Sequence, residues 1–152
     1  MPHRPQSHRL RHGRHSESGR AYLITTVVYR RRPLFSDWRL GRLVVAELKR
    51  AQDCGQVESL AWVLMPGHLH WLLQLEKATL PQVVQAVKSR STHQINRRLG
   101  SDGPFWQSGY HDRAVRDGED LQHIARYIVA NPLRAGLVKK VGDYPLWDAC
   151  WL

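Results

Sequence analysis

Cysteine, acidic side chains and long apolar runs are all scarce in this chain, and each shortage narrows what it can be. Only Cys54 and Cys150 occur among 152 residues, far apart and at no zinc-binding spacing. A disulfide-stapled scaffold and a cysteine-based zinc site are thereby excluded. No apolar run reaches the ~18–20 residues that a membrane helix needs. The first residues are charged and carry no apolar core of a secretory signal, so a cytoplasmic protein with reduced thiols is expected. Asp and Glu total 13 against 23 Lys and Arg, which gives a net charge of +10 and a pI near 10.3. Arg far outnumbers Lys, and guanidinium groups suit bidentate contact with phosphate and stacking on bases. The balance points to a polyanionic partner, nucleic acid first among them.

The chain is of single-domain length and shows no internal repeat. Residues 1–20 hold five Arg and four His and almost nothing apolar. Their composition is that of a disordered basic arm, whose Arg4, Arg9, Arg11 and Arg14 are candidate phosphate contacts. Residues 21–30 are β-branched and aromatic and read as a strand. Leu40, Leu43, Val44, Leu48 and Ala51 recur at helical spacing, which predicts a helix over 38–53 capped by Ser36 or Asp37. Residues 57–64 read as a second strand. Pro66-Gly67 makes a turn, and a third strand runs from His68 to Leu75.

Thr79 caps a second long helix with Pro81 in its first turn, and Gly100 and Gly103 close it. Its predicted buried stripe is Leu80, Val83, Val84, Val87, Ile95 and Leu99. Its other faces carry Lys88, Arg90, His93, Arg97 and Arg98, a surface suited to running along phosphates. Residues 104–116 mix aromatics with arginine and end in a fourth strand. Trp106 and Tyr110 there can stack on unpaired bases or serve as core aromatics, and Arg113 adds a further candidate DNA contact. Asp117 is the expected cap of a third helix, in which Leu121, Ile124, Ala125 and Ile128 face inward until Asn131-Pro132 bends it. The tail, with Tyr144, Trp147 and Trp151, packs back on the domain. The order β-α-β-β-α-β-α predicts an α+β fold: a ferredoxin-like antiparallel sheet with helices packed on one face.

Two patterns carry chemistry. In Met65-Pro-Gly-His-Leu-His-Trp-Leu-Leu73, strand alternation puts His68 and His70 on one face and Leu69 and Trp71 on the other. Paired imidazoles on one face can hold a divalent metal, though they also suit a polar strand face. On the third helix, Tyr127 and Asn131 stand at i and i+4. An amide oxygen is a hard donor that suits Mg²⁺ or Mn²⁺, and a phenol is a potential nucleophile once activated. Taken singly, Tyr127 also reads as a half-buried helix tyrosine and Asn131 as a polar helix end.

The combination of His68-Leu69-His70 with Tyr127-Ile-Val-Ala-Asn131-Pro-Leu-Arg-Ala-Gly-Leu-Val138 resembles the one-tyrosine HUH transposases. Within them it is most similar to the REP-associated tyrosine transposases, over roughly residues 20–140. Trp106, His111-Asp112-Arg113 and the basic arm are also similar to that branch, whereas Gly67 stands where the family usually has Asn. The resemblance implies an HUH endonuclease fold, with residues 21–140 as catalytic domain and 141–152 as tail. It implies Tyr127 as nucleophile on single-stranded or hairpin DNA, forming a 5′-phosphotyrosine link, with His68, His70 and Asn131 holding Mg²⁺ or Mn²⁺. The expected partner is a REP-like palindrome with a short flank read by basic segments. The expected setting is the bacterial nucleoid, and a monomer is favoured over a helix-exchanging dimer. Two other readings compete: a non-catalytic DNA-binding regulator on the same fold, and a metal-dependent phosphoesterase or RNA-processing module that would not need Tyr127.

Overall fold

The computed structural model describes residues 17–151. Five strands form one antiparallel sheet in the order β4-β1-β3-β2-β5. They are β1 (Ala21–Val27), β2 (Val57–Met65), β3 (His68–Leu75), β4 (His111–Ala114) and β5 (Trp147–Ala149). Helix α1 (Trp38–Asp53) joins β1 to β2, and α2 (Leu80–Leu99) joins β3 to β4. Helix α3 (Leu121–Val129) and the single turn α4 (Asn131–Arg134) follow β4. The first four strands have the ferredoxin-like order, and β5 extends it at the β2 edge. Among the described residues no helix is long and apolar enough to cross a membrane.

The expected placement of helices on one face holds for α1 and α2, which pack against each other. Gly41 of α1 meets Leu64, whose face also carries Leu69 and Trp71 by strand alternation. Helix α3 instead lies along β2, β3 and β5 on the opposite face, the face of His68 and His70. The reason is in the strands. Ala61, Val63 and Leu72 occupy that second face and are as buried as Leu64 and Leu69 on the first. A central sheet that is apolar on both sides needs a layer on each. Ile124, Ala125 and Ile128 of α3 supply the second layer, as predicted, while Leu121 is only partly covered.

Local signals explain most boundaries. Asp37 caps α1 by accepting a hydrogen bond from the Arg39 N–H at 3.0 Å. Thr79 and Gln82 form a reciprocal capping box on α2, and Gly100 ends it at φ 65°. Two boundaries and one buried position differ from expectation. β1 stops at Val27, because Tyr29 N–H turns away to donate to the Phe105 carbonyl. Asp120, not Asp117, caps α3, accepting from the N–H groups of Gln122 and His123. Glu119 is held by Arg113 and by the Arg116 N–H, so the chain makes a further turn before the helix starts. Leu99 is half-exposed, since the last turn of α2 extends past its final buried residue, Ile95.

Both ends of the described chain are tied to the sheet. Gly19 N–H donates to the Leu75 carbonyl, and Leu75 N–H donates to that of Arg20. Arg4, Arg9, Arg11 and Arg14 lie outside the described residues. The segment after residue 140 completes the sheet: β5 pairs with β2, Leu146 is buried, and Leu64 N–H donates to its carbonyl. The Tyr144 hydroxyl donates to the Leu64 carbonyl at 2.6 Å. An otherwise open β2 edge is thereby covered.

Burial pushes the Tyr144 hydroxyl up to about 12. The folded protein therefore keeps a proton that the unfolded chain releases near 10. Stability from this group is intact below pH 10 and is lost as pH rises toward 12. Equilibrium denaturation across that window should show a decline that is shallower in Tyr144→Phe. At neutral pH the same variant should be less stable by about 1 kcal/mol, the net value of one hydrogen bond. A variant with wild-type stability and an unchanged alkaline slope would contradict this.

Candidate active site and nucleic-acid interface

The site begins with the pairing of β1 and β3. Their register sets Thr25 beside His70 and Val27 beside His68. Thr25 Oγ1 lies 2.9 Å from His70 Nδ1. With Nδ1 engaged, Nε2 is the ring nitrogen left to face a ligand, and a second hydrogen bond fixes the ring's orientation. The His68 and His70 rings stand edge to face, with centroids 4.8 Å apart. Burial lowers both imidazoles from their usual value. His70 falls to about 4, through burial and then the charges of His68, Arg134 and Arg31. His68 is lowered by burial and Arg31. Both rings are neutral at pH 7, the form that binds metal.

Among the described residues no group of three His, Cys, Asp or Glu side chains is placed to hold a metal ion. Asn131, at the start of α4, is half-buried, and its amide nitrogen donates to the Ile128 carbonyl at 3.0 Å. That bond leaves Oδ1 as the outward donor. Pro132 is buried and begins the new turn after Ala130, so Asn131 sits at a bend and not on a continuous helix face with Tyr127.

Tyr127 is 61% exposed on α3. The Arg134 guanidinium carbon sits 3.8 Å from the centroid of its ring, a close cation–π contact. The charge of Arg134 also reaches His70. One side chain thus links the tyrosine helix to the histidine strand. Neither Arg134 nor Arg31 was singled out by sequence. Arg134 had as a signal only its place seven residues after Tyr127, and the bend at Asn131 breaks the helical face that this spacing would imply. Arg31 had none, because its approach depends on left-handed backbone at Arg30 and Arg31, φ 58° and 52°.

The proposed DNA contacts fare unequally. Trp106 is a core residue: it is buried, its indole N–H donates to Ser91 Oγ at 3.0 Å, and its ring lies 5.5 Å from that of Phe35. A base cannot stack on it, so the core alternative is the correct one. The Lys88 ammonium donates to the Gln107 and Gly109 carbonyls, and burial lowers it to about 8. Arg90 pairs with the buried Glu47 of α1 at 2.9 Å, and Arg113 pairs with Glu119. These three cations are engaged in holding the fold. Arg97 and Arg98 are exposed in the last turn of α2, where they also complement the helix dipole.

The chain is similar to known proteins in sequence and in fold. Residues 17–131 match the family described as Transposase IS200 like. The chain belongs to that family. A REP-associated tyrosine transposase of Escherichia coli is 28% identical over 114 residues, 74% of this chain and 64% of that protein. A Haemophilus influenzae protein assigned to the same class is 28% identical over 99 residues, 58% of this chain and 56% of its own length. The chain thus spans less than two thirds of either curated relative. A solved REP-associated tyrosine transposase bound to a REP hairpin matches with a TM-score of 0.73 at 25% identity, over 88% of this chain and 79% of that one. A Deinococcus radiodurans crystal structure matches in fold, with a TM-score of 0.53 at 21% identity over 71% of this chain and 87% of that one.

The histidine environment predicts a titration. His70 should take up a proton only as pH falls toward 4, whereas the unfolded chain does so near 6.5. Its contribution to stability is therefore intact above pH 6.5 and lost as pH falls toward 4. Imidazole NMR should record that low midpoint, moved upward in Arg134→Gln. A His70 midpoint near 6.5 in the wild type would overturn the buried, cation-flanked geometry.

Proposed function

We propose that the chain is a metal-dependent enzyme that nicks and rejoins single-stranded DNA at hairpin-forming repeats through a covalent tyrosine intermediate. The observation that carries this reading is the convergence of the paired imidazoles and the exposed Tyr127 on one cation, Arg134, which lies over the tyrosine ring and whose charge lowers His70. A non-catalytic regulator has no need of that convergence, and a plain phosphoesterase has no need of the exposed phenol.

In the proposed reaction the Tyr127 hydroxyl oxygen attacks the scissile phosphorus. The bond from phosphorus to the 3′-oxygen breaks, and that oxygen takes the proton given up by the phenol. The DNA is left with a 5′-phosphotyrosine link on one side and a free 3′-hydroxyl on the other. A later attack by a 3′-hydroxyl on the link restores Tyr127 and joins strands. Each step exchanges one phosphodiester for another, so no external energy source is required. His68, His70 and the Asn131 amide oxygen would hold Mg²⁺ or Mn²⁺, a donor set that fits a divalent ion because all three are neutral and because His70 Nδ1 and the Asn131 amide nitrogen are already engaged, which leaves Nε2 and Oδ1 to face it. Held there, a divalent ion would supply Lewis-acid polarisation of the phosphate. Arg134, over the Tyr127 ring, holds the phenol while its charge favours the approaching phosphate. The REP hairpin bound to the structural relative supports hairpin DNA as the substrate class. A bacterial cytoplasm, with the nucleoid as workplace, and a monomeric state complete the proposal.

Labelled single-stranded hairpin DNA with Mg²⁺ or Mn²⁺ should give a protein–DNA adduct that survives denaturation. Tyr127→Phe should abolish the adduct while DNA affinity changes less than about twofold, since surface substitutions away from packing are nearly neutral. Chelation should abolish it in the wild type. An adduct of undiminished yield from the Phe variant would move the nucleophile elsewhere.

A further inference from the structure

Segment 28–39 is held directly over the turn that leads into the histidine strand. Val28 N–H donates to the Gly67 carbonyl and Phe35 N–H to the Pro66 carbonyl, both at 2.9 Å. Tyr29 N–H donates to the Phe105 carbonyl at 2.8 Å. The contact between loop and turn is close. A Cβ on Gly67 would lie 2.9 Å from the Arg31 carbonyl oxygen, so only glycine lets the loop seat this deeply. Arg30 and Arg31 are successive non-glycine residues in left-handed backbone, an uncommon and strained arrangement. Such strain persists only where surrounding contacts enforce it, and it clusters at functional sites.

The display that results is specific in composition. Arg30, Arg31 and Arg32 are consecutive and exposed, and among the described residues none is paired with a carboxylate. Two large aromatics flank them in the open: Tyr29 is 49% exposed and Trp38 is 48% exposed. Each has a guanidinium near its ring, Arg30 at 5.3 Å over Tyr29 and Arg39 at 5.1 Å over Trp38. A cationic track set with exposed rings is the general device for holding single strands, because every base has a face to stack. The close approach of the Arg31 carbonyl to Gly67 places the track beside the site, because Gly67 directly precedes His68.

We propose that segment Tyr29–Arg39 is the platform for the unpaired nucleotides adjoining the attacked phosphate, with bases stacked on Tyr29 and Trp38 and phosphates held by Arg30, Arg31 and Arg32. The proposal rests on the reading of the chain as a single-strand DNA enzyme. It moves base stacking from Trp106, which the core has taken, to two exposed rings in the loop and helix start that follow β1.

The test uses the full chain carrying Tyr127→Phe, so that binding is read without chemistry. The probes are a DNA hairpin with an unpaired flank and the same hairpin cut blunt. Tyr29→Ala and Trp38→Ala should each weaken binding of the flanked hairpin by about 5- to 100-fold. Binding of the blunt hairpin should be unchanged. The salt slope should also be unchanged, because no charge is lost, whereas Arg30→Gln should reduce the log–log slope by about 0.7. Tyr29→Phe should bind as the parent does. In the parent protein, 2-aminopurine placed in the flank should be quenched on binding, a readout that needs no substitution at the platform. Wild-type affinity in both alanine variants, equal losses on the two hairpins, or an unquenched flank would each overturn the proposal. A chain with Tyr127 intact that binds the flank in this way but forms no adduct would overturn the enzymatic reading and leave the platform standing.

Discussion

The antiparallel register between β1 and β3 sets the site. It brings Thr25 beside His70, so that one threonine hydroxyl fixes the ring and selects its free nitrogen. A slip of one residue would turn both histidines into the face that holds Leu69 and Trp71. That face is closed by α1 and α2, so the slip would bury two imidazoles and expose leucine and tryptophan. The hydrophobic pattern of β3 thus fixes the chemistry indirectly. The apolar residues on one side determine which way the histidines must point.

The second face would be unstable if left bare, and α3 covers it. That covering has a functional consequence, because the helix that fills the apolar surface of β2 also carries Tyr127 on its exposed side. Pro132 and Asn131 then bend the chain, and Arg134 returns over the tyrosine ring. Positive charge from Arg134 and Arg31 surrounds imidazoles that burial already keeps neutral. On the proposed reading these surroundings would serve an anion and a cation at once: phosphate among the guanidinium groups, a divalent ion on the ring nitrogens. Such a pairing suits phosphodiester chemistry better than it suits a structural metal site.

The fold was largely legible in the sequence because its signals are local. Alternation in β1, the helical spacing of Leu40, Val44 and Leu48, and the Thr79 capping box each act within a few residues, and all three are where they were expected. The paired histidines and the tyrosine helix could also be recognised, because their motif spacing is distinctive. Three things were hidden. The side of the sheet taken by α3 depends on which strand residues remain uncovered after α1 and α2 have packed. The burial of Trp106 depends on Ser91 and Phe35, neither adjacent in sequence. The loop of Arg30 and Arg31 depends on a left-handed backbone that arginine does not announce and on the missing side chain of Gly67. Charged residues were the least legible class: Lys88, Arg90 and Arg113 look like free surface cations until their carbonyl and carboxylate partners are seen.

The central claim is that a divalent ion on His68 and His70 sits beside Tyr127. Fluorine NMR of protein labelled with fluorotyrosine, titrated with paramagnetic Mn²⁺, tests it most directly. The Tyr127 resonance, identified by its loss in Tyr127→Phe, should broaden at low Mn²⁺ before that of the buried Tyr22, which lies on the other face of the sheet, three residues along β1 from Thr25. The broadening should vanish when His68 and His70 are both replaced by alanine. A Tyr127 signal that stays sharp while another tyrosine broadens, or broadening that survives loss of both histidines, would contradict the account.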